Sequence, residues 1–194
     1  MKQKLKLNLG CWKRNIPGFV NVDQCNMPHI HHQRNVDNLS IFEDGAAELI
    51  YASHVFEYFD RAKGAEVLRE WFRVLAPGGT LRIAVPDFAK ISVIYNLYKN
   101  VSMTLGLLYG KMEVPVGDKM ETIYHKTVYD YDSLKEVLEN AGFINIRRYD
   151  WKKTIHKDHD DHSQAYIPHM DKEEGLLMSL NVEADKPLEY HENY

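Results

Sequence analysis

Long hydrophobic runs are missing from this 194-residue sequence. No stretch of ~20 consecutive apolar residues occurs, which excludes a helix that spans a membrane. No short apolar segment follows a basic start, so no secretory leader is expected and the chain is predicted to be cytoplasmic. Cysteine is scarce: Cys11 and Cys25 are too few for a disulfide framework. Charge of one sign is also missing. The 24 Lys and Arg residues against 28 Asp and Glu give a net charge of −4, with no basic face for general nucleic-acid binding. Internal repeats and low-complexity tracts are absent, as is the G-x-G-x-x-G fingerprint of a dinucleotide enzyme. What is present is ordinary for a globular protein, 44% apolar and 27% charged residues. A chain of this length can bury roughly 70% of its unfolded surface, enough for one domain over residues 1–194 without staples.

The most informative stretch runs from Trp71 to Asp87. Leu68, Trp71, Phe72 and Leu75 recur at i, i+3, i+4 and i+7, with Arg69, Glu70 and Arg73 on the other face. This amphipathic helix is predicted to end at Pro77-Gly78-Gly79, and an apolar strand follows at once, closing on Pro86 and Asp87. Upstream, residues 5–10 alternate as a first strand that stops at Gly10, and residues 19–23 form a second that ends on Asp23. Residues 36–39 read as a third strand and 48–53 as a fourth. Only about nine residues link the first two strands, fewer than the ~10–12 of a helical crossover, so the helix there is expected to be absent or a single turn. Ser133 and Glu136 have the spacing of a capping box and Gly142 that of a C-cap, which predicts a helix over 134–140. Residues 144–151 and 176–183 alternate as two closing strands expected to pair antiparallel. Residues 88–130 carry a Tyr- and Leu-rich helical pattern, read as a substrate cap; residues 152–174, crowded with His and Asp, are read as a flap between the last two strands.

The stretch R-V-L-x-P-G-G-x-L-x-I-x-V-P-D, together with L-N-L-G-C, F-V-N-V-D and L-I-Y-A-S-H-V-F-E, resembles class I S-adenosylmethionine (SAM) dependent methyltransferases. Within them it is most similar to small predicted methyltransferases of the type associated with glycan or surface-polymer gene sets. The likeness covers residues 5–88 and resumes at L…L…A-G-F near 134–143 and at S-L-N-V-E near 179–183. It implies an α/β Rossmann-like fold with a mostly parallel seven-stranded sheet whose last strand is antiparallel. It also implies SAM as cofactor and a small-molecule or glycan acceptor.

On that resemblance Gly10 ends the first strand against the ligand, Asp23 offers a carboxylate to the ribose hydroxyls, and Asp37 an acceptor to the adenine amine. Asn8, Cys11, Trp12, Asn38 and Ser53 complete the expected cofactor lining. Read singly, Gly10 is a turn glycine and the two acids are solvated loop residues. Trp12 departs from the pattern, because a second glycine belongs there; the indole either stacks on the cofactor or fills its cavity. The second outcome would leave a non-catalytic binding or assembly protein. His54, just past the fourth strand, is the first candidate for a general base, and His125 and Asp87 are weaker ones. His54 could equally cap the following helix or border the adenine. His29, His31, His32, His156, His159 and His162 invite a metal-dependent, sugar-modifying alternative, yet they lack a specific ligand spacing and read first as solvated polar loops. Trp151, Tyr166 and Tyr190 read as core or rim aromatics that would also suit a sugar-binding edge.

Overall fold

The computed structural model describes residues 4–116, 118–169 and 171–189; Tyr190 lies outside them. The strands are β1 (Leu5–Leu9), β2 (Val20–Asp23), β3 (His32–Gln33), β4 (Ala47–Ser53), β5 (Leu75–Pro86), β6 (Met112–Val116), β7 (Lys119–Ile123), β8 (Ile144–Arg148), β9 (Tyr166–Ile167), β10 (Leu176–Leu177) and β11 (Ser179–Asp185). The helices are α1 (Arg61–Val74), α2 (Phe88–Tyr98), α3 (Leu105–Tyr109) and α4 (Tyr131–Asn140). Seven strands form one sheet in the order β3-β2-β1-β4-β5-β11-β8. β11 lies antiparallel between β5 and β8, and the other pairings are parallel. This is the class I methyltransferase topology.

Strand alternation divides the two faces of the sheet. Leu7, Leu9, Ile50, Ala52, Leu81, Ile83, Val85, Leu180 and Val182 share one core with Val67, Leu68, Trp71 and Phe72 of α1 and Leu134 and Leu138 of α4. Burying each such aliphatic side chain contributes about 1.5–3 kcal/mol. The intervening residues point the other way and are mostly polar: Asn8, Asn21, Tyr51, Arg82, Asn181 and Glu183. No helix separates β1 from β2, as their short link requires. Ile16 and Phe19 from that link pack on Leu49 and Tyr51 instead. His156 stacks on Tyr51 at 4.1 Å between ring centroids. The segment 152–164 thus lies on the face that a helix would otherwise cover. Ion pairs and hydrogen bonds satisfy much of this polar face, as where Arg82 binds Glu183 at 2.6 Å.

Three local expectations need correction. The third strand is His32–Gln33, and residues 36–39 are a turn. Their backbone groups are taken by α1: Trp71 Nε1 donates to Val36 O at 2.8 Å, Leu39 N–H to Glu70 at 2.8 Å, and Arg73 to Leu39 O at 3.2 Å. A segment whose polar groups are spent on a helix has none left for a ladder. Helix α1 stops at Val74, before the proline and glycines, and β5 begins at Leu75. The α4 N-cap is Asp130, with Ser133 at N3, in place of the Ser133–Glu136 pair; Gly142 has the C-terminal positive φ of +93°. The closing strands pair antiparallel as expected, although β8 ends at Arg148 and Leu176–Leu177 pairs with β9.

Candidate functional site

The carboxyl ends of β1, β2 and β4 open onto a cleft, the usual ligand position in such sheets. Gly10 has φ of +65°, and a Cβ there would fall 2.6 Å from Cγ2 of Val55. The left-handed backbone and the close approach of Val55, just past β4, both call for glycine. Asp23 is buried at the end of β2. Its Oδ2 accepts the Trp12 N–H at 2.7 Å and its Oδ1 the Cys25 N–H at 2.8 Å. Each carboxylate oxygen keeps a lone pair, so the group can accept more bonds from a ligand. Gly10, Trp12, Asp23, Asn35, Val36 and Val55 help line a cavity of about 280 Å³. Asp37 and Asn38 stand outside that lining: Asp37 pairs with Lys63 at 3.1 Å and Asn38 accepts the Ser40 N–H. Because β3 ends at Gln33, the residues that follow it into the cavity are Asn35 and Val36.

A second, larger cavity of about 450 Å³ lies under residues 106–113, lined by Pro86, Leu107, Met112 and Ala165 and by three imidazoles, His54, His125 and His162. Trp12, His54, Tyr58 and Met112 border both spaces. A narrow gap of about 40 Å³ between them touches Asn8, Cys11, Ser53 and Asp161. Asn8 donates to Asn21 Oδ1 and Ser53 to Asp161, which fixes both expected cofactor residues within the sheet's polar layer. Cys11 and Cys25 are free, buried thiols, raised by burial and then by Asp23 to about 12 and about 11.

Two residues of the partition carry left-handed backbone, Trp12 with φ of +41° and His54 with φ of +52°. Such strain persists only where the surroundings over-determine it, and it clusters at functional sites. Trp12 is held by the Asp23 bond and by His29 Nε2, 2.7 Å from its carbonyl oxygen. Its half-buried indole walls the two cavities and fills neither.

The tautomers follow from the hydrogen bonds. Asn181 Nδ2 donates to Ser163 O, so its Oδ1 accepts the Ser179 hydroxyl at 2.8 Å. Ser179 Oγ, 3.0 Å from His54 Nε2, is then left to accept, and Nε2 carries the His54 proton. His54 Nδ1 faces Glu57 Oε1 at 3.4 Å. His125 Nδ1 donates to Leu107 O at 3.0 Å, and its Nε2 lies 3.7 Å from the same Glu57 oxygen. Gly110 closes α3 in a left-handed conformation, and a Cβ there would collide with the His125 ring. Glu57 is completely buried, and burial pushes its carboxyl up to about 8. Burial also holds His54 well below the ordinary imidazole value and lowers His125 and His162. Both nitrogens of His54 and of His125 thus face protein groups. His162 makes no side-chain hydrogen bond among the described residues and lies against His54, ring centroids 5.3 Å apart.

The sequence placed His162 in a polar loop, with a metal-ligand set as the alternative, and did not single out Glu57 as a functional group. The H-x-x-E spacing of His54 and Glu57, one helical turn apart, was the available signal. Asp87 does not line either cavity; its carboxylate caps α2 through the Ala89 N–H at 3.0 Å and approaches Arg148 at 3.6 Å. Of the remaining histidines, His31 accepts the Asn21 N–H, His32 packs edge-on to Phe42, and His156 is fully buried. Among the described residues no group of three or more His, Cys, Asp or Glu side chains is arranged to hold a metal ion. Trp151 is buried and donates to Tyr166 Oη at 3.2 Å. No described helix is long and apolar enough to cross a membrane.

Comparison with known proteins agrees with this fold. A family profile described as a methyltransferase domain matches residues 17–83. The demethylmenaquinone methyltransferase of Staphylococcus aureus is 27% identical over 126 residues, which is 58% of this chain and 51% of that protein. The chain therefore spans about half the length of the curated relatives it matches. Among solved structures, a SAM-dependent methyltransferase from Methanosarcina mazei superposes with a TM-score of 0.54 at 15% identity, covering 97% of this chain and 95% of the other. The Burkholderia thailandensis 1,6-didemethyltoxoflavin-N1-methyltransferase, solved with 1,6-didemethyltoxoflavin and S-adenosylhomocysteine, has a TM-score of 0.54 at 13% identity, covering 94% and 71%.

Proposed function

We propose that this chain is a SAM-dependent methyltransferase in which the cleft over β1 and β2 holds the cofactor and the 450 Å³ chamber holds a small acceptor. The observation that carries the reading is the meeting of the two cavities at Trp12, His54, Tyr58 and Met112. A donor group on one side can there face an acceptor atom on the other. The residues present fit SAM: Asp23 keeps free lone pairs for ribose hydroxyls, and Val36, Val55 and Val114 offer apolar walls for a flat base. When bound, the cofactor supplies a methyl group already activated on a sulfonium, so placement supplies much of the acceleration. The chain's own task is to align the acceptor, keep water out and take a proton from it.

His162 is the base we assign. The other two imidazoles of the chamber have both nitrogens turned toward protein groups, whereas His162 is uncommitted, neutral above its lowered pKa and able to accept a proton. His54 and His125 hold the chamber wall. The lining by Pro86, Leu107, Met112 and Ala165 favours a partly apolar small molecule over a sugar, whose hydroxyls would require more polar partners. The relatives named for a quinone and for a toxoflavin precursor accord with a ring acceptor.

Calorimetric titration with SAM and S-adenosylhomocysteine tests the cofactor step. Both should bind the parent. Asp23→Asn should lose roughly 1.5–3 kcal/mol, the scale of a hydrogen bond to a charged group. No heat and no thermal shift with either compound would end the reading. With an acceptor that the parent methylates, His162→Gln should lower kcat by about 10²–10⁴, the usual worth of a general base, and leave SAM affinity unchanged. A larger loss in His54→Gln than in His162→Gln would return the base to His54.

A further inference from the structure

Helix α2 and the segment after it are apolar on more sides than the fold buries. Ile91 and Ile94 pack with Met178, Leu107, Leu108, Ile167 and Leu176. The rest of α2 faces outward, with Tyr95, Leu97 and Tyr98 46%, 69% and 52% exposed. Val101, Leu105 and Tyr109, in and around α3, are exposed as well, as are Met120 and Tyr124 beyond β6. Of the fifteen large apolar side chains exposed among the described residues, eleven fall between Phe88 and Tyr124. Scattered singly, such residues need no account; gathered on one element, they mark an interaction surface. A surface helix of a water-bathed domain would show a polar outer face, and α2 does not.

The charges on this element indicate the partner. Across α2 and α3 themselves, residues 88–109, the charged side chains are Lys90 and Lys99, with no acid, although the chain as a whole carries −4; beyond α3, Lys111 and Lys119 stand among Glu113, Asp118 and Glu121. Lys90 and Lys99 form no ion pair among the described residues, and Lys111 reaches Glu113 at 3.4 Å. Tyrosines, aliphatic side chains and lysines on one short helical element are the composition that sits at a bilayer interface, where rings lie at headgroup level and lysine stems reach to phosphates. A second copy of this chain fits less well, because a two-fold contact through α2 and α3 would join two surfaces that carry lysine and no acid, leaving neither an opposite charge to pair with.

We infer that the α2–α3 cap docks this protein on an anionic lipid surface. The contact inferred is interfacial; no described helix is long and apolar enough to cross the bilayer. Gly106, Leu107, Gly110 and Met112 of the same element line the 450 Å³ chamber. Docking therefore sets the chamber beside the lipid, and an acceptor drawn from that phase reaches it without crossing water; this last step alone rests on the methyltransferase reading.

The test is co-sedimentation of the full chain, without SAM, with vesicles of phosphatidylcholine alone or mixed with phosphatidylglycerol, alongside light scattering of the free protein. The parent should bind the anionic vesicles at least tenfold more tightly than the neutral ones, and less so in high salt. Leu97→Glu and Lys99→Glu should each weaken that binding about tenfold or more. Ile41→Glu, at an apolar site 45% exposed outside the cap, should leave it unchanged. Circular dichroism and melting curves confirm that the variants are folded, since all three positions are at the surface. A parent that stays in the supernatant overturns the proposal. So does vesicle binding indifferent to Leu97→Glu, and so does a dimer that Leu97→Glu converts to monomer while vesicles are ignored, which would assign the face to self-association.

Discussion

Glu57 has no exposed surface, and its nearest ionisable neighbours are the imidazoles of His54 and His125, 3.4 and 3.7 Å away. With its folded-state pKa raised to about 8 against an ordinary 4.5, it keeps a proton that the unfolded chain releases. Its contribution to stability is complete below the unfolded value and is lost as pH rises toward 8. Depressed histidines act in the opposite sense, but only below their ordinary value of 6.5. Between pH 6.5 and 8 the Glu57 effect therefore stands by itself. In thermal melts, Glu57→Gln should flatten the fall in stability across that range, worth about 1–2 kcal/mol at one proton per molecule. Equal slopes in parent and variant would show that Glu57 is ionised throughout. Trp12 sets a second test at this scale. Its φ of +41° suits glycine, which adopts left-handed backbone without the ~1 kcal/mol that other residues forfeit. Trp12→Gly should keep the bonds to Asp23 and His29, which use backbone atoms, and should melt no lower than the parent. If the indole stacks on SAM, affinity falls by on the order of 1 kcal/mol; tighter binding by the variant would show that the indole obstructs the cofactor.

At the scale of elements, the unusual feature is the sheet face that no described α-helix covers. Its substitute is irregular chain pinned by polar contacts, and Asp161 is the main pin. It accepts the Tyr51 hydroxyl at 2.6 Å, the Ser53 hydroxyl at 3.3 Å and the Ser163 N–H at 2.8 Å. Asp161→Ala leaves the fully buried Tyr51 hydroxyl without its acceptor and should cost roughly 2–4 kcal/mol, read as a lower urea midpoint at constant slope. Asp161→Asn, which keeps an acceptor, should recover much of that loss. Equal midpoints for the alanine variant and the parent would mean that water replaces these bonds. The neighbouring His162 moves with this segment, so the alanine variant should also lose turnover in any assay the parent supports.

For the molecule as a whole, the local signals of order and alternation were in the chain from the start. Periodicity in residues 68–75 marks α1, alternation marks β1, β4, β5 and β11, and the short link after Gly10 leaves no room for a helix before β2. These follow from spacing, because a 3.6-residue or 2-residue period commits one face to apolar burial wherever the element ends up. The positions of Gly10, Asp23 and His54 at strand ends beside a cleft were also legible, since strand ends in such sheets open on the ligand side. Other features had no local signature. Residues 36–39 had strand-like composition, yet Trp71, Glu70 and Arg73, more than thirty residues away, took their backbone groups. Asp87 ended a strand as a catalytic acid would, but the start of α2 directly behind it made it a cap. His162 entered the site only because the chain between β8 and β11 folds across the uncovered sheet face, and Glu57 became a proton-holding acid only when two imidazoles and the cap closed over it. The sequence by itself determined the main elements, β1, β2, β4, β5, β11, α1 and α4, and which side of each is apolar. Tertiary structure decided which polar groups meet, because ionisation and hydrogen bonding depend on what burial brings within a few ångströms, and no residue's nearest neighbours in sequence specify that.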